Sequence, residues 1–361
     1  MIKDKLNVYR QMALQGDFPF LPCTVDFLQP YIPCYLPDII SIVSGSSSSG
    51  KSSLTKYMMF KAIEYAIDFK KDLKIIWVAL EETPEQFEYS VLSYLLYKHY
   101  GVELSMMDLM SMSYESGRRY VLEEKVINYI DQLNPLVDLY MSYFHFTTLC
   151  TSYGIYSYIR DIASENGKFF NGDKEVKIDP GIAENSQPKF DRYVKDNSTT
   201  FLAVIDHISL LRPTRAEEGE KGLYNAIGNL RHYCNTIVTK LFRIHCCFIQ
   251  QQTKGQESLT NVQHSYYFPS ALGLDSNKST FNDCRVFIGI SSPKHFGVTS
   301  WKINKLKNGM NMPEQKNFSD LESEFRVINI AKNTFGRTLN ATNEMVPLNF
   351  YAKALSFKQL L

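Results

Sequence analysis

The sequence predicts an α/β fold in which a mostly parallel sheet is flanked by helices. Short apolar runs rich in β-branched residues, typical of buried strands, alternate with longer stretches in which apolar residues recur at helical spacing. Several of these short runs end in a glycine-rich loop, a pair of acids or a polar cluster. Open α/β sheets bind ligands at the carboxyl edge of their strands, so we expect the functional site there.

The composition is that of an ordinary globular protein. The 361 residues are 44% hydrophobic and 21% charged, and the net charge of +1 argues against a generally basic nucleic-acid binder. No apolar run approaches the ~20 residues that span a bilayer, and the first residues lack the apolar core of a secretion signal. The seven cysteines include no C-x-x-C pair, so we expect free thiols in a cytoplasmic protein.

The stretch "SGSSSSGKSS", residues 44–53, predicts a phosphate-binding loop. The spacing G-x-x-x-x-G-K-[ST] begins at Gly45. Its serine content is also typical of a flexible linker, and the flanking sequence decides between the two interpretations. A β-branched run at 38–44 precedes the loop, and apolar residues at helical spacing follow it from 54 to 67. Strand, loop and helix in this order are the context of a P-loop.

The residue types of this loop suit phosphate binding. Glycines allow backbone angles and close approach that a Cβ would block, so the loop amides and the helix N-terminus can point at phosphate. Lys51 adds a mobile cation, and the Ser52 hydroxyl can ligate Mg²⁺. ATP and Mg²⁺ are therefore the expected cofactors. The predicted contact residues are Gly45, Ser46, Ser47, Ser48, Ser49, Gly50, Lys51, Ser52 and Ser53.

Two further strand runs end in carboxylates that suit such a site. The run "FLAVI", 201–205, delivers Asp206, which is the Walker B pattern of an aspartate that serves Mg²⁺. The run at 75–80 is followed by Glu81 and Glu82. Glu81 stands where the strand ends, at the ligand-binding edge. Glu82 fits better as a solvated acid at the start of the next helix, where the helix dipole favours it.

A third run ends in the polar cluster Gln250, Gln251 and Gln252. Such a cluster usually forms a surface turn. Here it leaves a buried strand that would neighbour the nucleotide, so one of the glutamines is a candidate sensor of the γ-phosphate.

The order of these motifs resembles the ATPase domain of DnaB-type replicative helicases, with their RecA-like core, and phage-encoded forms are the most similar. The P-loop is followed by "ALEE", then "VIDHISLL", then "FIQQQ". The later segments "DSNKSTFNDCRVFIGISSP" and "FRVINIAKNTFGRT" also resemble strands of that domain. The similarity extends from about residue 21 to residue 337.

The resemblance implies a chemistry and a set of partners. It implies a homo-oligomer, a hexameric ring, that uses ATP to move on single-stranded DNA and to unwind duplex in the 5′-3′ direction, with a primase or loader as a further partner. The residues carried over are Lys51 and Ser52 for phosphate and Mg²⁺, Glu81 for water activation, Asp206 for the metal, and Gln251 as the sensor with Gln250 as the alternative.

Two features depart from the family pattern. The late K-x-R motif reads Lys332, Asn333, Thr334 here, so the arginine that reaches the neighbouring subunit's nucleotide is missing at that place. Arg337 is the candidate replacement, acting in trans together with Lys332. About twenty residues precede the core, too few for the family's primase-contacting domain and enough for a helix that docks on a neighbour.

These observations predict an N-terminal helical arm (1–20), an ATPase domain (21–342) with a polar surface insertion (166–198), and a C-terminal tail (343–361). In a RecA-like ring, the loops after the Asp206 strand and after the glutamine strand would face the central channel. Basic side chains there can contact DNA phosphates and tyrosines can stack on bases, although many charged loop residues only solvate the surface. The candidates are Arg212, Arg215, Lys221, Lys254 and Lys278, with Tyr266 or Tyr267 for stacking.

The sequence thus predicts an ATP-dependent, ring-forming replicative DNA helicase. Two alternatives stay open. A RecA-like recombinase or strand-annealing ATPase would form filaments. A non-enzymatic loader or adaptor would use ATP only as a ligand; intact Glu81 and Asp206 weigh against it, whereas the arginine missing at Thr334 weighs for it.

Overall fold

A computed structural model describes the chain except for residues 1, 16–17, 116, 180–187, 197, 220, 258–267, 308–309, 322, 340–343 and 361. The strands of the described residues are β1 (Ile40–Gly45), β2 (Leu73–Ala79), β3 (Tyr114–Glu115), β4 (Arg118–Arg119), β5 (Phe144–Thr147), β6 (Gly167–Asn171), β7 (Lys174–Val176), β8 (Arg192–Lys195), β9 (Thr200–Asp206), β10 (His245–Gln251), β11 (Cys284–Ser291), β12 (Ser300–Lys307), β13 (Met310–Asn317), β14 (Glu324–Asn333), β15 (Val346–Tyr351) and β16 (Ser356–Gln359).

Helices connect these strands and cover both faces of the main sheet. The α-helices of the described residues are α1 (Ile2–Leu14), α2 (Lys51–Asp68), α3 (Pro84–Tyr100), α4 (Met106–Leu109), α5 (Glu124–Ser142), α6 (Ser152–Ser164), α7 (Gly222–Tyr233) and α8 (Thr280–Asp283). A π-helical turn, Cys234–Val238, extends α7. Within the described residues, no helix is both long and apolar enough to cross a bilayer.

The main sheet has nine described strands in the order β16-β15-β14-β11-β1-β10-β9-β2-β5. The six strands from β11 to β5 run parallel, and β14, β15 and β16 add an antiparallel end. The predicted fold class, a mostly parallel sheet flanked by helices, is confirmed. The parallel strands bring the ends of β1, β2, β9 and β10 to one edge, which we call the carboxyl edge.

Successive side chains of each strand point to opposite faces of the sheet, so the interior is divided into two cores. In β1, Val43 faces the core under α2, α3 and α5, whereas Ile40 and Ile42 face the core under α6 and α7. Strands with both faces buried must be apolar on both sides, which is why their sequences read as continuous apolar runs. The six residues of β1 are all buried. A strand held on both faces is a rigid support for the loop that follows it.

The C-terminal segment differs from the expected tail. Within 343–361, strands β15 and β16 belong to the main sheet, with β15 paired to β14 and Phe350 and Phe357 stacked on each other. The sheet therefore extends beyond residue 342, where we expected the ATPase domain to end. The apolar alternation of "VPLNFY" explains the added strand, because its inward residues Val346, Leu348 and Phe350 are buried.

Two other segments lie outside the main sheet. Within 166–198, strands β7, β6 and β8 form a small antiparallel sheet, and its Phe169 is buried in the core under α6. Helix α1, in the predicted N-terminal arm, has no buried residue and exposes Ile2, Leu6 and Leu14. All seven cysteines are free thiols, as expected.

A buried histidine at the opposite edge of the sheet, the amino edge, predicts a pH-dependent stability. His245 opens β10, its Nδ1 donates to the Leu36 carbonyl (2.9 Å), and its Nε2 accepts from the Ser41 hydroxyl (2.9 Å). Burial lowers the pKa of His245 to about 4, against the weaker opposing effects of the Leu36 carbonyl and Asp38. The stability contributed by neutral His245 is therefore complete above pH 6.5 and is lost as the pH falls towards 4.

We expect the free energy of unfolding of wild type to approach that of His245→Gln as the pH falls. Glutamine does not titrate, so the difference between the two proteins should shrink by about 1.4 kcal/mol per pH unit below 6.5. Urea unfolding at several pH values between 7.5 and 5 measures it. A difference that does not change with pH would show that His245 protonates as easily in the folded protein as in the unfolded chain.

Candidate functional site

The loop between β1 and α2 has the backbone of a phosphate cradle. Gly50 lies at φ 100°, a left-handed conformation that glycine adopts without strain. At Gly45 a Cβ would stand 2.3 Å from the Ser49 hydroxyl and 2.4 Å from the Ile290 carbonyl oxygen, so no other residue fits there without displacing the loop. Ser46 and Ser49 are buried, and Ser47 and Ser48 form the exposed tip. The glycine requirement read from the motif thus has a steric cause.

Lys51 is the first residue of α2 and lies folded against this loop. Its side-chain amine donates to the Ser46 carbonyl (2.8 Å), and the residue is buried. Ser52 and Ser53 follow in the first turn of the helix, where free backbone N–H groups and the helix dipole favour an anion. The loop therefore brings together a cation, the backbone of a tight glycine-containing turn and a helix N-terminus, which are the groups that bind the phosphates of a nucleotide.

Asp206, at the end of β9, meets the P-loop directly. The Ser52 hydroxyl donates to its Oδ1 at 3.0 Å, although 154 residues separate the two in the chain. Burial raises the pKa of Asp206 to about 7, which the Ser52 hydroxyl opposes and the charges of Glu82 and Glu81 reinforce. The positive charge of Lys56 lowers the pKa of Asp206 only in part, so the pKa stays raised. The Asp206 carboxylate and the Ser52 hydroxyl form an oxygen donor set of the kind that holds Mg²⁺.

The two glutamates after β2 have different surroundings. Glu82 forms an ion pair with Lys56 of α2 (2.6 Å), and its side chain is largely buried, so it is not the solvated acid we expected. Glu81 keeps 48% of its side chain exposed and contacts His207 Nε2 at 2.9 Å. The pairing of Ala79 with Asp206 brings the end of β2 next to the end of β9. Glu81 is thus the acid that faces the site, and Glu82 braces α2 against α3.

The glutamines at the end of β10 also differ. Gln250 is fully buried: its amide donates to the carbonyls of Asp275 (2.7 Å) and Asn277 (3.1 Å), and its carbonyl accepts from Thr280 (2.7 Å). Gln251 is half-buried and pairs with Gly45, where the P-loop begins. Its side chain points to the other face of the sheet because successive strand residues alternate. Gln250 therefore holds the 275–280 segment, and Gln251 lies on the P-loop side.

Two residues that sequence reasoning missed contact this machinery. Arg326 of β14 is buried, donates from Nε to the Ser49 carbonyl (2.8 Å) and lies over the Phe350 ring (5.0 Å). His207 follows Asp206 and contacts Glu81. The signal for Arg326 was an arginine flanked by the apolar residues Phe325 and Val327 in a strand, where a buried charge must find a partner. No pattern in the sequence links position 207 to position 81.

The predicted trans-acting cations lie at the amino edge, far from the P-loop of their own chain. Lys332, at the end of β14, donates to the carbonyls of Phe281 (2.7 Å) and Asn282 (3.2 Å). Arg337 is exposed and forms an ion pair with Glu344. Because β14 runs antiparallel to β11, its carboxyl end lies where β1 begins. Neither residue is placed beside its own chain's phosphate cradle.

The basic DNA-contact candidates are all exposed. Three of them lie in the segment between β9 and α7. Buried Glu217 shapes this segment, because its carboxylate accepts from Ser152 (2.8 Å), Asn229 (2.6 Å) and the Thr214 backbone (2.8 Å). Tyr266 and Tyr267 lie outside the described residues. The exposed side chains are Arg212, Arg215, Lys221, Lys254 and Lys278.

Comparison with known proteins shows which solved structures share this architecture. No protein-family model and no curated protein sequence matches the chain. Among solved structures, it is similar to the ATPase domain of a phage helicase, with a TM-score of 0.63 and 13% identity over 99% of this chain and 98% of that one. It is also similar to a DnaB-like replicative helicase solved for its interactions with primase, with a TM-score of 0.60 and 12% identity over 100% of this chain and 67% of that one.

At this identity the likeness establishes the fold. The chain has the RecA-like fold of DnaB-type ATPase domains, which confirms the resemblance predicted from its motifs. The alignment with the phage helicase domain covers 99% of this chain, so the aligned part includes β14, β15 and β16, which form the antiparallel end of the sheet.

The contrast between the two glutamines gives a test by mutation. Gln250→Ala should lower the melting temperature by at least ~2 °C, because it removes three buried hydrogen bonds, whereas Gln251→Ala should leave it within ~1 °C of wild type. Differential scanning calorimetry of the two variants makes the comparison. Equal melting temperatures would mean that Gln250 does not hold the 275–280 segment.

Proposed function

We propose that this protein is an ATP-driven DNA helicase that works as a ring of identical subunits. The observation that carries the proposal is the hydrogen bond between Ser52 and Asp206, which joins a P-loop to a Walker B aspartate at the carboxyl edge of a RecA-like sheet.

The chain's own residues suggest how ATP would be held. Loop amides between Gly45 and Ser52 would bind the phosphates, and Lys51 would exchange its bond to the Ser46 carbonyl for phosphate oxygen. Ser52 and Asp206 would hold Mg²⁺, which when bound neutralises charge on the phosphates. Arg326 would keep the loop in shape by fixing the Ser49 carbonyl.

Glu81 is placed to act as the general base. In the hydrolysis we propose, a water oxygen forms a bond to the γ-phosphorus while the bond to the bridging oxygen breaks and its electron pair leaves with ADP. The proton of the water passes to the Glu81 carboxylate. Gln251, on the P-loop side of β10, is the proposed sensor of the γ-phosphate, since Gln250 is engaged elsewhere.

A second subunit would complete the site. Lys332 and Arg337 lie at the amino edge, so in a ring they would serve the nucleotide of the neighbouring chain and stabilise the charge of its γ-phosphate. Arg337 would have to leave Glu344, and an exposed ion pair of this kind is readily exchanged. Exposed α1 would be available to dock on a neighbour.

Single-stranded DNA would bind at the loops after β9 and β10. Arg212, Arg215, Lys221 and Lys254 are exposed there and would contact phosphates without reading sequence, while Lys278 lies on the segment that returns to β11.

Two alternative functions differ from this proposal in assembly or in turnover. A RecA-like recombinase shares the fold and would form filaments. An adaptor that binds ATP without turnover is disfavoured by Glu81, which keeps an exposed carboxylate at the site.

The hydrolytic step is tested with three variants. Lys51→Ala should lose Mg²⁺-dependent ATP turnover, because the cation that faces the phosphates is removed. Glu81→Gln should bind ATP but hydrolyse it at least ~100-fold more slowly, as expected for loss of a general base. Glu82→Gln is the matched control, and its turnover should stay within ~5-fold of wild type. If Glu82→Gln is the damaged variant and Glu81→Gln is not, the assignment of the base is wrong by one residue.

The role of the neighbouring subunit is tested by mixing variants. Arg337→Ala should assemble and bind nucleotide but turn it over roughly 10- to 1000-fold more slowly, the range expected for loss of a trans-acting arginine. Mixing it with Lys51→Ala should restore part of the activity, because some interfaces then pair an intact P-loop with an intact Arg337. Arg243→Ala, an exposed arginine at the same edge, is the control. Full activity of assembled Arg337→Ala would exclude this residue as the trans-acting group.

A further inference from the structure

The contact between His207 and Glu81 is the feature of the site that the proposed function does not yet use. His207 directly follows Asp206 at the end of β9, is largely buried, and its Nε2 lies 2.9 Å from Glu81 Oε1. An ionised carboxylate can only accept a hydrogen bond, so Nε2 carries the hydrogen. The second ring nitrogen, Nδ1, is buried and has no hydrogen-bond partner among the described residues.

The other buried histidine of the sheet shows what a purely structural histidine looks like here. In His245 both ring nitrogens are paired, one with Leu36 and the other with Ser41. His207 leaves one nitrogen unpaired, which costs stability and is unusual for a buried polar group. Groups that a fold holds at such a cost are concentrated at functional sites.

The charges around His207 favour a neutral ring that donates to Glu81. Burial lowers the pKa of His207, and the Lys51 ammonium acts in the same direction, against the carboxylates of Glu81 and Asp275. The neighbouring Asp206 carboxyl points to Ser52. The imidazole thus contacts the acid proposed as the base and is also influenced by the charge of the P-loop lysine.

Glu81 needs such a partner. It lies on the bend between β2 and α3 with 48% of its side chain exposed, and the adjacent Glu82 is already fixed by Lys56. An exposed glutamate samples several rotamers, whereas a general base has to stay within hydrogen-bond reach of the water it deprotonates. The contact uses Oε1 and leaves Oε2 for that water.

We propose that His207 is the positioning residue of the general base: it holds the Glu81 carboxylate at the carboxyl edge by donating its Nε2 hydrogen to Oε1. The inference rests on the proposed hydrolytic function and adds a residue to it. One strand end, Asp206-His207, then supplies both the metal ligand and the group that orients the base. Because the two are consecutive in the chain, the metal ligand and the base are fixed relative to each other.

The test compares side chains at position 207 that have a similar volume but differ in whether they can donate a hydrogen bond to Glu81. His207→Phe keeps the volume but not the donor, and we expect kcat to fall roughly 10- to 100-fold with KM for ATP within ~3-fold of wild type. His207→Gln, whose amide can donate from a similar position, should recover most of kcat. In a Glu81→Gln background, His207→Phe should reduce kcat by less than ~3-fold further, since its target is gone. His245→Gln is the control for loss of a buried histidine and should keep kcat within ~2-fold of wild type at a temperature where it is folded.

The outcomes separate this role from the proposed function. Absence of Glu81-dependent hydrolysis in wild type would overturn both. Glu81-dependent hydrolysis with an unchanged kcat in His207→Phe, or a kcat in His207→Gln as low as in His207→Phe, would overturn the role of His207 alone. If His207→Phe does not fold, His207→Asn, whose shorter amide does not reach Glu81, replaces it with the same expected loss, and a wild-type kcat in that variant would again exclude the role.

Discussion

The hydrogen bond from the Ser52 hydroxyl to Asp206 Oδ1 links two segments that are far apart in the chain, and the proposed chemistry depends on it. It forms because β1, β10 and β9 run parallel and in register, so that the strand before the P-loop and the strand before Asp206 end at one edge. Burial of Asp206 raises its pKa, which means that the protein holds a carboxylate where an isolated charge is unfavourable. In the function we propose, a cation bound between Asp206 and Ser52 would offset this cost, and the P-loop beside it would bind the phosphates that accompany the cation.

The polar groups near this pair fall into two kinds, those that are held by fixed partners and those that stay accessible. Gln250 and Arg326 are buried, Glu82 is largely buried, and each is bound to backbone or to a charged partner, so they hold the segments that carry the site. Glu81 and Gln251 keep part of their side chains accessible at the same edge. Packing in two cores leaves the sheet little freedom, and an accessible carboxylate on a rigid edge is the arrangement that general-base chemistry requires.

Much of this could be predicted from the sequence because it depends on local pattern. Apolar runs with both faces buried identify β1, β2, β9 and β10, and the motif at Gly45 has one steric explanation. Contacts set by tertiary pairing could not be predicted: His207 with Glu81, Arg326 with the P-loop, and Lys56 with Glu82 each join residues from different elements. The strands β15 and β16 were not predicted, because a short segment of alternating apolar and polar residues forms a strand only where a neighbouring strand has an edge to pair with. Here that edge belongs to β14, and the sequence alone does not show that it is available.

The measurement that tests the account most directly is phosphate release from ATP as a function of protein concentration, with Mg²⁺ and single-stranded DNA present. A site completed by a neighbour predicts that turnover per subunit rises with concentration as subunits assemble, and that DNA increases it further. Constant turnover per subunit would contradict the shared site while leaving hydrolysis intact. Phosphate release no greater than that of Lys51→Ala at every concentration would contradict the central claim that this edge of the sheet hydrolyses ATP.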